Sequence, residues 1–159
     1  MTDSNAGYKK ILVGTDGSES SLRAVERAAA VAHAAGGDLT VLCAYDPPRA
    51  REVEEAQEAL GDEAYKVVGS NPAEEALRAA RERAAGVGLT DVETAAVADD
   101  PVDALVDVMD KRDVDLLVVG NRGLNTLAGR VLGSVPSDVA RRASCDVLIV
   151  RTTKGGRWS

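Results

Sequence analysis

The sequence predicts an α/β fold of the doubly wound class, in which helices cover both faces of a five-stranded parallel sheet. Short apolar runs typical of strands alternate along the chain with segments of helical periodicity, and this alternation is typical of β–α–β units with right-handed crossovers. In addition, residues 114–119 form a nearly continuous apolar run, as expected of a parallel strand that is covered on both faces.

The first half of the chain contains two predicted strands, at 8–14 and 38–45, with a predicted helix at 18–35 between them. The connection that follows, 46–70, begins with two prolines and continues as an acidic stretch. We interpret it as a long connection that contains a surface helix, because a charge run usually forms a solvated face. A lid over a ligand site is the functional alternative.

The second half continues the same alternation. Predicted strands lie at 91–98, 114–119 and 145–151, and predicted helices at 71–86, 101–111 and 134–142. The two ends of the chain, residues 1–7 and 153–159, lack periodicity and are predicted to be mobile tails. One domain over residues 8–152 is therefore expected.

The composition excludes several classes of partner. The chain has 159 residues, 45% hydrophobic but only 3% aromatic, so its core must consist of Ala, Val and Leu. Aromatic stacking of single-stranded nucleic acid is thus not expected, and a net charge of −7 disfavours any polyanion. No apolar run approaches the roughly 20 residues of a membrane span, and no signal-peptide pattern begins the chain. A cytoplasmic protein without membrane or nucleic-acid partners is predicted.

Three potentially reactive side chains receive no chemical role. Cys43 and Cys145 lie within or beside strand-like runs, so packed thiols are favoured over a disulfide or a metal pair. His33 lies near the end of an alanine-rich helix, where it can face solvent or the last carbonyl groups. Neither a catalytic residue nor a metal site is predicted.

A glycine-rich segment leaves the end of the fourth predicted strand. It consists of Gly120-Asn121-Arg122-Gly123, nine further residues and Gly133-Ser134. Glycine lets the backbone approach a ligand closely and adopt positive φ where a turn requires it. Ser134 is predicted to cap the following helix, whose free N–H groups and positive dipole end would face the segment. The segment is therefore a predicted anion site.

This spacing resembles the adenine-nucleotide signature of the universal stress protein family. Residues 10–18 and 146–150 are similar to the family's first strand and turn and to its closing strand, and the resemblance spans roughly residues 8–152. It implies a Rossmann-like sheet of the adenine nucleotide alpha hydrolase type with strand order 3-2-1-4-5. In that order strands 1 and 4 open a crevice at their carboxyl ends. The resemblance also implies a homodimer formed through the last strand.

The resemblance assigns nucleotide contacts to residues that leave these strands. Gly120 is expected under the ribose, the Ala44 backbone near adenine, and backbone N–H groups of the glycine-rich segment near phosphates. Asp16 could accept a hydrogen bond from ribose or adenine, or could close an Asx turn or cap a helix. The predicted nucleotide-binding residues are Gly14, Asp16, Ala44, Gly120, Asn121, Arg122, Gly123, Arg130, Gly133, Ser134 and Val135.

The predicted function is nucleotide binding with slow or no hydrolysis. No Gly-Lys-Ser/Thr follows the loop, so this is not a Walker A motif. Arg122 or Arg130 could pair with a phosphate or remain solvated. ATP, with or without Mg²⁺, is the leading ligand of a stress-response regulator, and cyclic AMP is the alternative because a phosphodiester needs less neutralisation. A slow ATPase or phosphotransferase, a ligand-free interaction module and a flavin protein are weaker hypotheses, and protein partners stay unknown.

Overall fold

The computed structural model describes residues 7–46, 71–122 and 133–152. Its strands are β1 (Lys10–Gly14), β2 (Asp38–Tyr45), β3 (Val92–Ala98), β4 (Leu116–Gly120) and β5 (Asp146–Val150). Its helices are α1 (Glu19–Ala35), α2 (Asn71–Gly86), α3 (Pro101–Lys111) and α4 (Ser134–Arg142). The strands form one parallel sheet in the order β3-β2-β1-β4-β5. The predicted fold class and strand order are confirmed.

Each face of the sheet has its own apolar core, because successive side chains of a strand point to opposite faces. Ile11 and Val13 of β1 belong to the core beneath α1 and α2, whereas Leu12 belongs to the core beneath α3 and α4. Helix α1 contributes several alanines that are fully buried, including Ala24, Ala28 and Ala32. Small side chains allow this helix to lie close to the sheet, as the composition without Phe requires.

Local signals explain where most of the elements begin and end. The hydroxyl of Ser18 accepts the N–H of Ser21 at 3.1 Å and caps α1, so that helix begins one residue later than predicted. Gly36 ends α1 in the left-handed region, at φ 68°. Asp100 caps α3, and Pro101 occupies its first turn. The bounds of α2, α3 and α4 are as predicted, and strand ends differ by at most two residues.

Several predictions concern residues away from the predicted nucleotide site. Cys43 is buried, Cys145 is partly buried, and both are free thiols, as predicted. His33 is exposed in the last turn of α1, also as predicted. Within the described ranges, no helix is long and apolar enough to cross a membrane. Residues 1–6, 47–70 and 153–159 lie outside the described residues, so the predicted tails and the lid alternative stay predictions.

Candidate functional site

A cleft opens at the carboxyl ends of β1 and β4. The two strands are neighbours, with Val13 opposite Val118, but the helices that follow them lie on opposite faces of the sheet. Such a divergence leaves a crevice. The cleft encloses about 610 Å³ of empty space, part of it open to solvent. Six of the predicted residues line it, namely Gly14, Asp16, Ala44, Gly120, Arg122 and Val135.

One wall of the cleft is apolar. Leu42 from β2 and Leu105 from α3 are nearly fully buried, and Val135 and Pro136 from the first turn of α4 also line the cleft. Gly14 lies beside Leu105, since a Cβ built on Gly14 would be 3.3 Å from Leu105 Cδ2. An apolar wall with few polar groups suits a flat ring system that needs to be taken out of water.

The opposite rim is a hydrogen-bonded turn between β1 and α1. The hydroxyls of Thr15 and Ser21 lie 2.8 Å apart, and the Gly17 N–H donates to Thr15 Oγ1 at 3.1 Å. The Ser18 N–H donates to Asp16 Oδ1 at 2.9 Å, which is the Asx turn left open by the sequence. Gly17 has φ 84°, where a Cβ would be strained. The turn therefore holds the Asp16 carboxylate at the cleft.

The carboxylate of Asp16 is charged at neutral pH. Partial burial opposes ionisation, but the hydrogen bonds from Ser18 and Ser21 outweigh it and lower the pKa of Asp16. The residue remains exposed, so a ligand can reach it. Among the lining residues that the structure describes, Asp16 supplies the negative charge and Arg122 the positive charge. The described lining of the cleft thus carries one charged side chain of each sign, and the positively charged one follows β4.

Asn121 connects the two ends of the glycine-rich segment by hydrogen bonds. Its N–H donates to the carbonyl of Val150 at 2.8 Å, and its own carbonyl accepts the N–H of Gly133 at 3.0 Å. Its side-chain Oδ1 accepts the N–H of Thr152 at 2.9 Å. The Gly133 N–H, predicted to face phosphate, is therefore occupied. Gly123 and Arg130 lie outside the described residues.

Neither described glycine of this segment has positive φ. Gly133 has φ −63° and ψ 165°, and Gly120 ends β4 without positive φ. The reason is that each lies in extended backbone next to a regular element. A Cβ on Gly120 would lie in close contact with the protein itself, 3.2 Å from Thr152 Cγ2.

The predicted N-cap at Ser134 is wrong. Gly133 is the N-cap of α4 and makes no side-chain cap, while Ser134 is the exposed first residue of the helix. The backbone of Gly133 is extended, and its carbonyl accepts the first hydrogen bond of the helix, from the N–H of Ser137 at 3.1 Å. Pro136 has no N–H. The N–H groups of Ser134 and Val135 thus remain without a partner among the described residues.

About half of the residues that line the cleft are not among the predicted ones. The missed lining residues that carry its chemistry are Thr15, Ser21, Leu42, Pro101, Leu105 and Pro136. Thr15 could have been predicted from the sequence, because it is adjacent to Asp16 at the end of a predicted strand. Leu105 and Pro101 come from a helix that follows β3, and nothing in their local pattern separates a cleft wall from an ordinary core.

Comparisons with known proteins give a consistent family assignment. The model of the universal stress protein family matches residues 7–151. A universal stress protein of Mycobacterium tuberculosis is 52% identical over 148 residues, which cover 93% of this chain and 99% of that protein. A putative universal stress protein of Staphylococcus aureus is 34% identical, covering 91% of this chain and 85% of the relative.

Two solved structures add ligands to the comparison. A universal stress protein in complex with cAMP has a TM-score of 0.72 and 45% identity, covering 93% of this chain and all of that one. The universal stress protein from Archaeoglobus fulgidus in complex with dAMP has a TM-score of 0.65 and 25% identity, covering 91% of this chain and 98% of that one. Both ligands are adenine nucleotides with a single phosphate group.

Proposed function

The chain belongs to the universal stress protein family, and we propose that it binds an adenine nucleotide in the cleft at the carboxyl ends of β1 and β4. The observation that carries this proposal is the pairing of an apolar wall with the start of α4, where the N–H groups of Ser134 and Val135 have no partner among the described residues. Such a helix start binds anions. The adenine-nucleotide complexes of related structures support the same ligand class.

The base and the ribose occupy the deeper part of the cleft in this proposal. Adenine lies against Leu42 and Leu105, near the backbone of Ala44 and beside Gly14, where the absence of a Cβ leaves space for Leu105. Asp16 accepts a hydrogen bond from a ribose hydroxyl, because its carboxylate is ionised and exposed at the rim. Gly120 lies at the end of β4, where the backbone turns toward the phosphate.

Cyclic AMP is the ligand that the described donors suit best. Two backbone N–H groups and the guanidinium of Arg122 match the single charge of a phosphodiester. A related structure at 45% identity holds cAMP. ATP with Mg²⁺ is the second candidate, because Arg122 is exposed and could extend to a phosphate chain. The triphosphate would need more neutralisation than these groups provide.

We propose further that turnover is slow or absent and that ligand occupancy has a regulatory output in the cytoplasm. Phosphoryl transfer needs several groups placed around the γ-phosphate and the attacking water. Within the described part of the cleft lining, no lysine and no histidine is available for those tasks. A homodimer through β5 is the proposed assembly, since β5 lies at an edge of the sheet.

Calorimetric titration with cyclic AMP, Mg-ATP and adenosine tests the proposal through Ser134. Ser134→Pro removes one donor N–H at the first helical position, where proline is well tolerated. The preceding Gly133, at ψ 165°, has the extended conformation that a residue before proline requires. Because a charge-assisted hydrogen bond contributes about 1.5–3 kcal/mol, we expect cyclic AMP affinity to fall about 10- to 100-fold.

The matched control is Ser134→Ala, which removes the hydroxyl but keeps the N–H. We expect it to bind cyclic AMP much more tightly than Ser134→Pro, and we expect both variants to bind adenosine as the wild type does. Equal affinity of the proline and alanine variants for cyclic AMP would remove α4 from the proposed phosphate site. No heat from any of the three ligands, with folded protein free of retained nucleotide, would overturn nucleotide binding itself.

A further inference from the structure

We propose that Thr152, which follows β5, is a positioning residue for the start of α4 and acts on it through Asn121. This inference rests on the proposed function. Thr152 does not line the cleft, and the two residues of α1 that it contacts lie 129 and 132 residues earlier in the chain. Its surroundings nevertheless connect it to both ends of the segment that carries the proposed phosphate donors.

The first connection is a double hydrogen bond to one oxygen. Asn121 Oδ1 accepts the backbone N–H of Thr152 at 2.9 Å and the hydroxyl of Thr152 at 3.1 Å. A backbone N–H can only donate, so this side-chain atom of Asn121 must be the carbonyl oxygen. Both lone pairs of that oxygen are thereby used. Asn121 is thus a structural link rather than a ligand contact through Oδ1.

The second connection runs through the backbone of Asn121 to the start of α4. The Asn121 carbonyl accepts the N–H of Gly133, the N-cap residue of that helix. The next two residues, Ser134 and Val135, carry the proposed phosphate donors. A displacement of Asn121 therefore shifts the start of α4 and, with it, these two N–H groups. Misplacing a binding group by about 1 Å can cost much of its effect.

Thr152 itself is held firmly from the side of α1. It is 2% exposed, and Arg23 donates from its guanidinium to the Thr152 carbonyl at 2.6 Å. Its hydroxyl also pairs with that of Ser20. Since the Thr152 hydroxyl donates to Asn121, Ser20 must be the donor in this pair. Every polar atom of Thr152 is accounted for, and leaving one unpaired in a buried place is costly.

The packing contact with Gly120 completes the link. The Thr152 methyl group occupies the space into which a Cβ on Gly120 would point, 3.2 Å away. Thr152 thus fixes both the last residue of β4 and, through Asn121, the beginning of α4. The consequence is an energetic coupling between the end of the edge strand β5 and the phosphate side of the cleft. The wall proposed for adenine, formed by β1, β2 and α3, is not part of this link.

The test compares Thr152→Val with Thr152→Ser in calorimetric titrations with cyclic AMP, Mg-ATP and adenosine. Valine keeps the shape and removes the hydroxyl, whereas serine keeps the hydroxyl and removes the methyl group. A net contribution of about 0.5–1.5 kcal/mol for one hydrogen bond predicts an affinity loss of about 2- to 12-fold for the phosphate-bearing ligands with valine. We expect serine to restore most of that affinity, and adenosine to bind all forms equally.

Thr40→Val is the matched control, because Thr40 is another buried threonine whose hydroxyl is hydrogen-bonded, to Arg112 at 3.3 Å. It lies toward the amino end of β2, away from the cleft. We expect it to leave the affinity for all three ligands unchanged. An equal loss for adenosine and the phosphate-bearing ligands with Thr152→Val, or no loss for either, would overturn the positioning role.

A double-mutant cycle with Asn121→Ala tests the route. In that background Thr152→Val should have little further effect on cyclic AMP affinity, and full additivity would contradict action through Asn121. Hydrogen exchange at the Gly133 amide gives a readout without ligand, and Thr152→Val should accelerate it. Wild-type protein that binds no nucleotide would refute the proposed function, whereas an unchanged Gly133 exchange rate would refute the link itself.

Discussion

The backbone N–H of Ser18 donates to Oδ1 of Asp16 at 2.9 Å, so the residue that the family resemblance assigns to ligand binding also closes the turn that starts α1. One carboxylate therefore has a structural partner on one side and an open cleft on the other. The two roles require different properties of the side chain. The turn needs an acceptor oxygen in this position, whereas the proposed ribose contact gains from the negative charge.

Substitutions at Asp16 separate these two roles. Asn keeps an acceptor for the Ser18 N–H, so we expect Asp16→Asn to unfold in urea with a free energy within about 0.5 kcal/mol of the wild type. Its cyclic AMP affinity should fall about tenfold, as the charged acceptor is lost. Asp16→Ala should lose stability as well, by about 1 kcal/mol. If Asp16→Asn binds as tightly as the wild type, Asp16 has only its structural role.

The acid side of the stability curve gives an independent check on Asp16. Its pKa is lower in the folded protein than the ordinary value of 3.8. The ionised carboxylate therefore contributes stability above pH 3.8, and this contribution is lost as the pH falls through the folded value. We expect urea unfolding at a series of pH values to show a smaller loss below pH 3.8 in Asp16→Asn than in the wild type. If the free energy of unfolding falls equally with pH in the two proteins, the ionised carboxylate of Asp16 does not make this contribution.

Gly120→Ala tests the contact between β4 and Thr152. The new Cβ would lie 3.2 Å from Thr152 Cγ2 in a buried place, and overpacking of this kind costs about 1–3 kcal/mol. We expect a loss of this size in urea unfolding, with partial recovery in Gly120→Ala/Thr152→Ser, where the opposing methyl group is absent. Gly86→Ala, with open space around the new Cβ, is the control. Additive losses in the double variant would contradict the contact.

The two cysteines should differ in reactivity. Burial raises the pKa of Cys43 to about 11, with a further contribution from the charge of Asp16. Burial followed by the charge of Asp146 raises the pKa of Cys145, but that side chain is more accessible. Because the thiolate is the reactive form, we expect iodoacetamide at pH 8 to modify Cys145 first, as mass spectrometry would report. Labelling of Cys43 at the same rate in folded protein would show that β2 opens.

The proposed dimer depends on the edge strand β5. Val147, Leu148 and Ile149 are each only partly buried there, and such an edge can pair with a second copy. Sedimentation at micromolar concentration should report a dimer for the wild type and a monomer for Ile149→Lys. Val97→Lys is the matched control, because Val97 is partly buried on β3 at the opposite edge. Monomeric wild-type protein, or equal effects of the two substitutions, would exclude the β5 interface.

The elements, their order and the glycine-rich segment could be identified from the sequence alone. Apolar periodicity is a local property, so strands and helices could be located within two residues. The strand order came from the resemblance of the glycine-rich segment to a known family, and the sheet confirms it. Asp16 and Gly120 could be placed at one crevice because parallel neighbouring strands end at the same edge.

Which of the described groups at the ends of that segment are hydrogen-bonded depends on the tertiary structure. Gly133 replaces Ser134 as the cap, and its N–H is used by Asn121 rather than by a ligand. The pairing of Asn121 with Thr152 joins residues 31 positions apart, and the contact of Leu105 with Gly14 joins β1 to α3. Hydrogen bonds and packing between distant segments leave no local pattern in the chain, because they depend on how the elements come together in space.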